Sequence, residues 1–165
     1  MTAISGINAG ARITAAMLQG IAPLAVVKPS DESVTSSTTL QNDNDLVVAV
    51  SANASYLFYC YLDYEGASAG DLKFSWSVPT SATMRFTIIG QTAASAAQTA
   101  VTGSESTSYA IGADAAATLN AVLMVGTLVT SSSSGSLQLQ WAQNASSGTA
   151  TKVHAQSFLS LWQVS

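Results

Sequence analysis

The side chains that could carry out chemistry are few and scattered along the chain. The single histidine, His154, is far in sequence from the single cysteine, Cys60. No Gly-x-Ser-x-Gly motif is present, so a hydrolase triad around His154 is not indicated and a structural role is favoured. Cys60 lies in an apolar segment and is expected to be a small core residue. One histidine and one cysteine cannot form a transition-metal cage, so neither metal nor cofactor is predicted.

Two groups of carboxylates have spacings that occur in catalytic or metal sites. Asp63 and Glu65 could act as a glycosidase pair, although such pairs usually come from different strands. The run 43–45, Asp-Asn-Asp, offers oxygen ligands for calcium, but the glycine and the terminal glutamate of an EF-hand loop are absent. Solvated strand-end charges and a turn are therefore favoured. No catalytic residue is predicted, and the chain is expected not to be an enzyme.

Composition excludes several classes of partner. The 165 residues are 48% hydrophobic and 8% charged, with a net charge of −4, so the clustered cations that bind nucleic acid are missing. The apolar fraction is ample for a single folded domain. Residues 1–20 lack the features of a signal peptide, which predicts folding in a cytoplasm. The apolar stretch 111–129 is interrupted by Asp114, Thr118 and Asn120, so no membrane span is predicted.

Alternating apolar and polar residues predict β-strands through most of the chain after Pro29. Leu72, Phe74 and Trp76 alternate with polar residues up to Pro79, and the pattern resumes in segment 84–88, which predicts a hairpin. The segments 118–130 and 137–141, separated by serines and a glycine, predict a second pair of neighbouring strands. Residues 41–45 are expected to form a turn. Residues 91–112 are expected to be a long loop with one short strand near Tyr109. This spacing predicts an all-β fold, an antiparallel sandwich or jelly roll of about 8–10 strands.

The N-terminal residues have a different pattern. Ile13, Met17 and Ile21 recur at four-residue steps, which predicts a short helix that ends before Pro23. Such a helix has no core of its own and must dock on another surface. The chain is therefore divided into an N-terminal arm, residues 1–28, and a sandwich domain, residues 29–165. The three apolar side chains are the candidate anchors of the arm.

Three predicted strands are apolar on both faces. They are residues 55–64, residues 118–130 and the C-terminal segment 157–164. A strand of an antiparallel sandwich normally has one wet face, so a second apolar face indicates a further buried surface. Loops folded over the sheet or contacts between subunits would both provide one, and three such strands favour subunit contacts. The candidate contact residues are Tyr59, Tyr61, Leu123 and Trp162.

Several segments stand in an order that resembles a known family. They are ARITAAML (11–18), DESVTSSTTL (31–40), YLDYEG (61–66), GDLKFSWSVP (70–79), LQLQWAQN (137–144) and VHAQSFL (153–159). Together they are similar to small virion proteins of tailed phages and prophages of actinobacteria, described as minor tail, head fibre or decoration proteins. The resemblance covers most of the chain outside residues 91–112. It implies a jelly-roll sandwich that assembles as a trimer, and it implies no catalytic residues.

Taken together with this resemblance, these observations predict a non-enzymatic virion protein that is made in the cytoplasm of a bacterial host. We expect a homotrimer on the outside of a phage capsid, anchored to the major capsid protein by its N-terminal arm. The alternative is a minor tail or tail-tip protein that binds a host surface glycan through exposed aromatic residues, with Tyr64, Tyr109 and Trp141 as candidates. A cell-wall hydrolase using Asp63 or Glu65 is the least favoured interpretation.

Overall fold

The computed structural model describes residues 10, 12–15, 22–92 and 95–165. Within 22–92 and 95–165 the regular structure consists of antiparallel strands, with no helix. The twelve strands found there are β1 Leu24–Val27, β2 Glu32–Val34, β3 Gln41–Val50, β4 Ser55–Glu65, β5 Leu72–Ser77, β6 Thr83–Thr92, β7 Ser95–Ser104, β8 Tyr109–Ile111, β9 Asn120–Val129, β10 Gly135–Gln143, β11 Thr151–Val153 and β12 Phe158–Gln163.

The strands form two sheets that pack face to face. The larger sheet has eight strands, in the order β1-β12-β4-β9-β6-β7, with β11 beside β4 and β2 beside β11. The smaller sheet has four, in the order β3-β10-β5-β8. Within β3 to β10 the pairs are nested, because β3 pairs β10, β4 pairs β9, β5 pairs β8 and β6 pairs β7. One long antiparallel ladder rolled over two sheets is a jelly roll, so the predicted fold class is confirmed.

The core between the sheets is built around aromatic rings. Phe86 of β6 lies edge-on to Phe58 of β4 at 5.9 Å, and it meets Phe74 of β5 across the sandwich at 6.4 Å. Phe58 in turn lies edge-on to Trp76 at 5.8 Å. Cys60 is buried in the same core, as predicted, and burial raises the pKa of its thiol. Contacts between these rings on the inner faces of the sheets therefore hold β4, β5 and β6 in place.

The two predicted pairs of neighbouring strands are wrong. The strands β5 and β6 lie in different sheets, and so do β9 and β10. Alternation reports which face of a strand is buried, and two strands that face each other across a core alternate in the same way as two that pair. Phe74 and Phe86 illustrate this, since their side chains meet across the sandwich instead of lying side by side.

Two local predictions are also wrong. Residues 91–112, expected to be a loop, contain β7 as well as the short predicted strand near Tyr109. Small Ala, Ser and Thr side chains hide the period of β7, and Gly103 on this strand leaves room for the ring of Phe86, which an added Cβ would meet at 2.5 Å. Residues 41–45, expected to be a turn, begin β3. The strands β1, β2 and β7, which the sequence pattern did not indicate, bring the number above the predicted 8–10.

The N-terminal arm is described only in part. Ile13 is exposed, and most of the predicted helix, including Met17 and Ile21, lies outside the described residues. Within residues 1–28, β1 joins the edge of the larger sheet by pairing with β12, from Leu24 opposite Leu161 to Val27 opposite Phe158. The arm thus leads directly into the sandwich.

Candidate interaction surface

Two of the residues considered for catalysis, His154 and Glu65, lie in an ion cluster at one end of the larger sheet. The Nδ1 atom of His154 lies 3.3 Å from Asp31, and its Nε2 atom lies 3.5 Å from Glu65. Lys152 Nζ lies 2.9 Å from Glu65. The backbone amide of Ala155 donates to Asp31 and, with His154 and Lys152 nearby, lowers the pKa of this carboxyl; the hydrogen bond to Glu65 raises the pKa of Lys152. These contacts connect β4 to the loop after β1 and to strand β11. The cluster therefore serves to hold these segments together.

The acidic run considered for calcium surrounds an ammonium group instead. Asp43 is completely buried and accepts hydrogen bonds from Lys28 Nζ at 3.0 Å, and Glu32 and Asp45 lie 2.8 and 3.1 Å from the same nitrogen. Burial opposes the charge on Lys28, but these carboxylates outweigh it and raise its pKa above 10.5. Across the described residues, no group of three or more His, Cys, Asp or Glu side chains could hold a metal ion.

Two of the three aromatic residues considered for glycan binding are inaccessible. Tyr64 and Trp141 are fully buried, and Tyr109 is half-buried. The Trp141 indole donates to Asp43 at 3.1 Å, and the Tyr64 hydroxyl donates to the carbonyl of Gly112. Those two rings belong to the core, so sequence reasoning assigned them to the wrong surface. Burial, and then the charges on Asp71 and Asp114, raise the pKa of Tyr64 above its ordinary value of 10.0.

The buried hydroxyl of Tyr64 predicts a specific pH dependence. The substitution Tyr64→Phe removes one buried hydrogen bond and should lower the free energy of unfolding by about 1 kcal/mol at neutral pH. Because the folded-state pKa is raised, the unfolded chain loses this proton first, and wild-type stability should fall above the unfolded-state pKa near 10. Urea unfolding should therefore show the difference between wild type and variant closing by about pH 11. A difference that stays constant with pH would contradict this assignment.

The four candidate contact residues lie together on the outer face of the larger sheet. Tyr61 stands opposite Leu123 in the β4–β9 register, and Tyr59 contacts Trp162 edge-on at 5.7 Å. Tyr59, Leu123 and Trp162 are exposed, and Tyr61 is half-buried in a stacked contact with Phe158 at 5.9 Å. The sequence interpretation thus identified residues of one continuous surface.

One line of apolar side chains crosses this face from strand to strand, and we call it the apolar row. Its members follow the register of five neighbouring strands: Val27, Phe158, Tyr61, Leu123 and Ile89. Sequence reasoning did not select Val27 or Ile89, although they are 60% and 42% exposed. Ile89 follows the buried Ile88, and such a doubling of apolar residues was the only signal available for it.

The two halves of the outer face differ in chemistry. On strands β1, β12 and β4, which we call the aromatic half, Ala25, Val27, Tyr59, Phe158 and Trp162 line an open apolar groove of about 370 Å³. On strands β9, β6 and β7, which we call the threonine half, the side chains beyond the apolar row include Arg85, Thr87, Thr102 and Thr127, with Val125 and Val129 among them. Polar groups therefore border the apolar surface on that side.

The outer face of the smaller sheet is different again. Its side chains are small or polar, namely Val47, Ala49, Lys73, Ser75, Ser77, Ala110, Gln138 and Gln140. Gln140 donates to Asn42 at 2.8 Å, and Gln138 donates to the carbonyl of Asp43. An exposed patch rich in large apolar side chains and rimmed by polar groups marks an interaction site, and only the larger sheet carries one among the described outer faces.

Comparisons with known proteins give distant similarities. No family model matches the chain, and neither does any curated protein. Among solved structures, the chain is similar to Eiger TNF from S. frugiperda, with 11% identity, a TM-score of 0.39 and coverage of 88% of this chain and 93% of that one. It is also similar to a chain of infectious bursal disease virus Gx strain, with 10% identity, a TM-score of 0.24 and coverage of 86% and 42%. Within the described residues, no helix is long and apolar enough to span a membrane.

Proposed function

We propose that this chain is a non-enzymatic structural protein of a bacteriophage virion, a homotrimer that decorates the outside of the capsid. The observation that carries the proposal is the contrast between the two outer faces of the jelly roll. Large apolar side chains cover much of the larger sheet, whereas the smaller sheet presents small and polar ones. One face suits contacts between subunits and the other suits solvent. The resemblance of the sequence to small phage virion proteins supports the same conclusion.

The N-terminal arm provides the attachment in this proposal. Ile13 is exposed, and it recurs with Met17 and Ile21 at the spacing of one helix face. The arm enters the sandwich through β1, so its position relative to the larger sheet is fixed at its C-terminal end. Three arms on one trimer would bind neighbouring copies of the major capsid protein at once, and effective affinity rises without any single strong contact.

A minor tail or tail-tip protein that binds a host glycan is the alternative. The rings of Tyr59 and Trp162 beside the open groove favour it, because the apolar faces of sugars stack on exposed aromatic side chains. Burial of Tyr64 and Trp141 removes two of the three aromatic residues on which the sequence based this alternative. The two functions differ in where the protein sits on the virion.

Immunogold labelling of intact virions separates these functions, and arm variants test the attachment. We expect gold over the head, and we expect purified protein to bind virions that lack this chain. Replacing Ile13, Met17 and Ile21 together by Asp should abolish that binding, because charged side chains cannot be buried against an apolar partner. Val101→Asp, an exposed apolar position on β7, is the matched control and should bind normally. Gold confined to the tail, or normal binding by the arm variant, would contradict the proposal.

A further inference from the structure

The size of the exposed apolar surface indicates a permanent partner. Eight large apolar side chains contribute to it: Val27, Leu57, Tyr59, Tyr61, Ile89, Leu123, Phe158 and Trp162. Their exposure ranges from partial, for Tyr61 and Phe158, to 60% for Val27, and together they present on the order of 600 Å². That is the upper end of what monomers expose and approaches the roughly 800 Å² that one partner gives to a standard interface. Covering such a surface is favourable, and a patch of this size marks an interaction site.

The charges around the surface indicate what covers it. Asp63 marks one end of the face and Arg85 marks the other, while no charged residue lies within the apolar row. A cationic, anionic or nucleic-acid partner therefore has no complementary charges to meet on the row. An uncharged apolar surface of similar shape is required, and a second copy of this chain carries one in every molecule.

The difference between the halves determines how copies can meet. The aromatic half contains the groove between β1, β12 and β4, whereas Leu123 and Ile89 are exposed on the other half, outside the groove. A contact between two different halves closes either as a twofold pair, in which both halves of one copy meet both halves of its partner, or as a ring, in which each copy uses its two halves on two neighbours. The trimer of the proposed function selects the ring, which a rotation of 120° per copy closes after three subunits.

We infer that Leu123 and Ile89 of one copy bind in the groove lined by Val27, Tyr59, Phe158 and Trp162 of the next copy, around a threefold axis. The inference rests on the trimer of the proposed function and names its contact. Both side chains are aliphatic and belong to the apolar row, as do Val27 and Phe158 in the groove. When the strands of neighbouring subunits run in the same direction, the apolar rows of the two copies therefore lie at the same height along the threefold axis.

Cysteine cross-linking of the full chain tests this contact. Val27 and Ile89 lie on β1 and β6, four strand spacings apart, which is about 19 Å within one copy. A disulfide cannot span that distance, so the double variant Val27→Cys, Ile89→Cys should be joined only between copies. We expect oxidised protein to run as a covalent trimer on a non-reducing gel. Each single variant should remain uncross-linked, and the native Cys60 is buried and does not interfere.

Each other outcome contradicts the inference. A covalent dimer as the largest species would indicate a twofold face-to-face contact between the larger sheets. If the wild type is a trimer but the double variant gives no cross-link, the contact between subunits lies on another surface. If the wild type is a monomer at micromolar concentration, the apolar face binds another partner, such as the chain's own residues 1–21. The experiment uses purified protein, so the site of gold labelling on virions does not affect its result.

Solution mass provides a second measurement that does not depend on disulfide chemistry. Leu123→Lys places a charge in the apolar row, and sedimentation should show it as a monomer when wild type is a trimer. Val101→Lys is the matched control, because Val101 is 44% exposed on β7 but lies on the opposite face, paired with Ile88. Equal masses for both variants would contradict the inference.

Discussion

Replacing Asp43 by Ala should lower the free energy of unfolding by about 3–5 kcal/mol. Its carboxylate is completely buried and accepts from Lys28 at 3.0 Å, from the Trp141 indole at 3.1 Å and from the backbone amide of Leu46 at 2.8 Å. Lys28 keeps Glu32 and Asp45 as partners, so it loses one of three charge contacts. The larger cost comes from the Trp141 indole and the Leu46 amide, because a buried donor without an acceptor has lost its hydration and gained nothing in return.

Two further variants separate charge from hydrogen bonding in this prediction. Asp43→Asn keeps one acceptor oxygen but removes the negative charge, so its loss should be smaller than that of Asp43→Ala. Glu105→Ala is the control for a carboxylate nearer the surface, since Glu105 lies 3.7 Å from an Arg85 side chain that is 68% exposed and accepts from the Met84 backbone amide at 2.8 Å, and it should cost about 1–2 kcal/mol. Urea unfolding at neutral pH measures all three. A loss for Asp43→Ala no larger than that for Glu105→Ala would contradict this account of the buried cluster.

The Lys28 cluster also shows why part of this structure could not be predicted from the sequence. Local pattern reading treats Asp43 and Asp45 as turn residues, because acidic and amide side chains in a row are typical of turns. In the structure, Asp43 points inward from β3, and the group that compensates its charge lies 15 positions earlier in the chain. An ion pair between residues far apart in the sequence does not change the local alternation of apolar and polar residues. Neither the Lys28 cluster nor the position of β3 could therefore be predicted from that alternation.

Strand positions, in contrast, could be predicted because they depend on local alternation. Leu72, Phe74 and Trp76 face the core of the sandwich, as their spacing indicates. Strand pairing was not accessible in the same way, since the nested ladder joins segments as distant as β3 and β10. The candidate interaction surface could be predicted only in part. Apolar residues on both faces of β4 and β9 identified Tyr61 and Leu123, but only the register shows that Val27 and Ile89 complete the row.

Gly126→Ala should be the other severely destabilising substitution, with a loss of about 3 kcal/mol or more. Gly126 lies in the middle of β9, between Phe58 of β4 and Phe86 of β6. A Cβ atom at this position would lie 2.0 Å from the carbonyl oxygen of Arg85 and 2.6 Å from the Cα atom of Phe86. Both atoms belong to the backbone, so no side-chain rotation relieves the overlap, and β6 must move away from β9.

That movement should spread through the core, which makes the effect of Gly126→Ala larger than one lost contact. Phe86 would be displaced with β6, and its ring packs against Phe58 at 5.9 Å and Tyr109 at 5.6 Å. Gly148→Ala is the matched control, because no atom lies within 4 Å of the added Cβ, and its effect should stay within about 0.5 kcal/mol. Urea midpoints measured for both variants against wild type decide the matter. Equal midpoints would mean that β6 and β9 approach each other less closely at Gly126. The strand register of the threonine half, including the pairing of Ile89 with Leu123, would then be wrong.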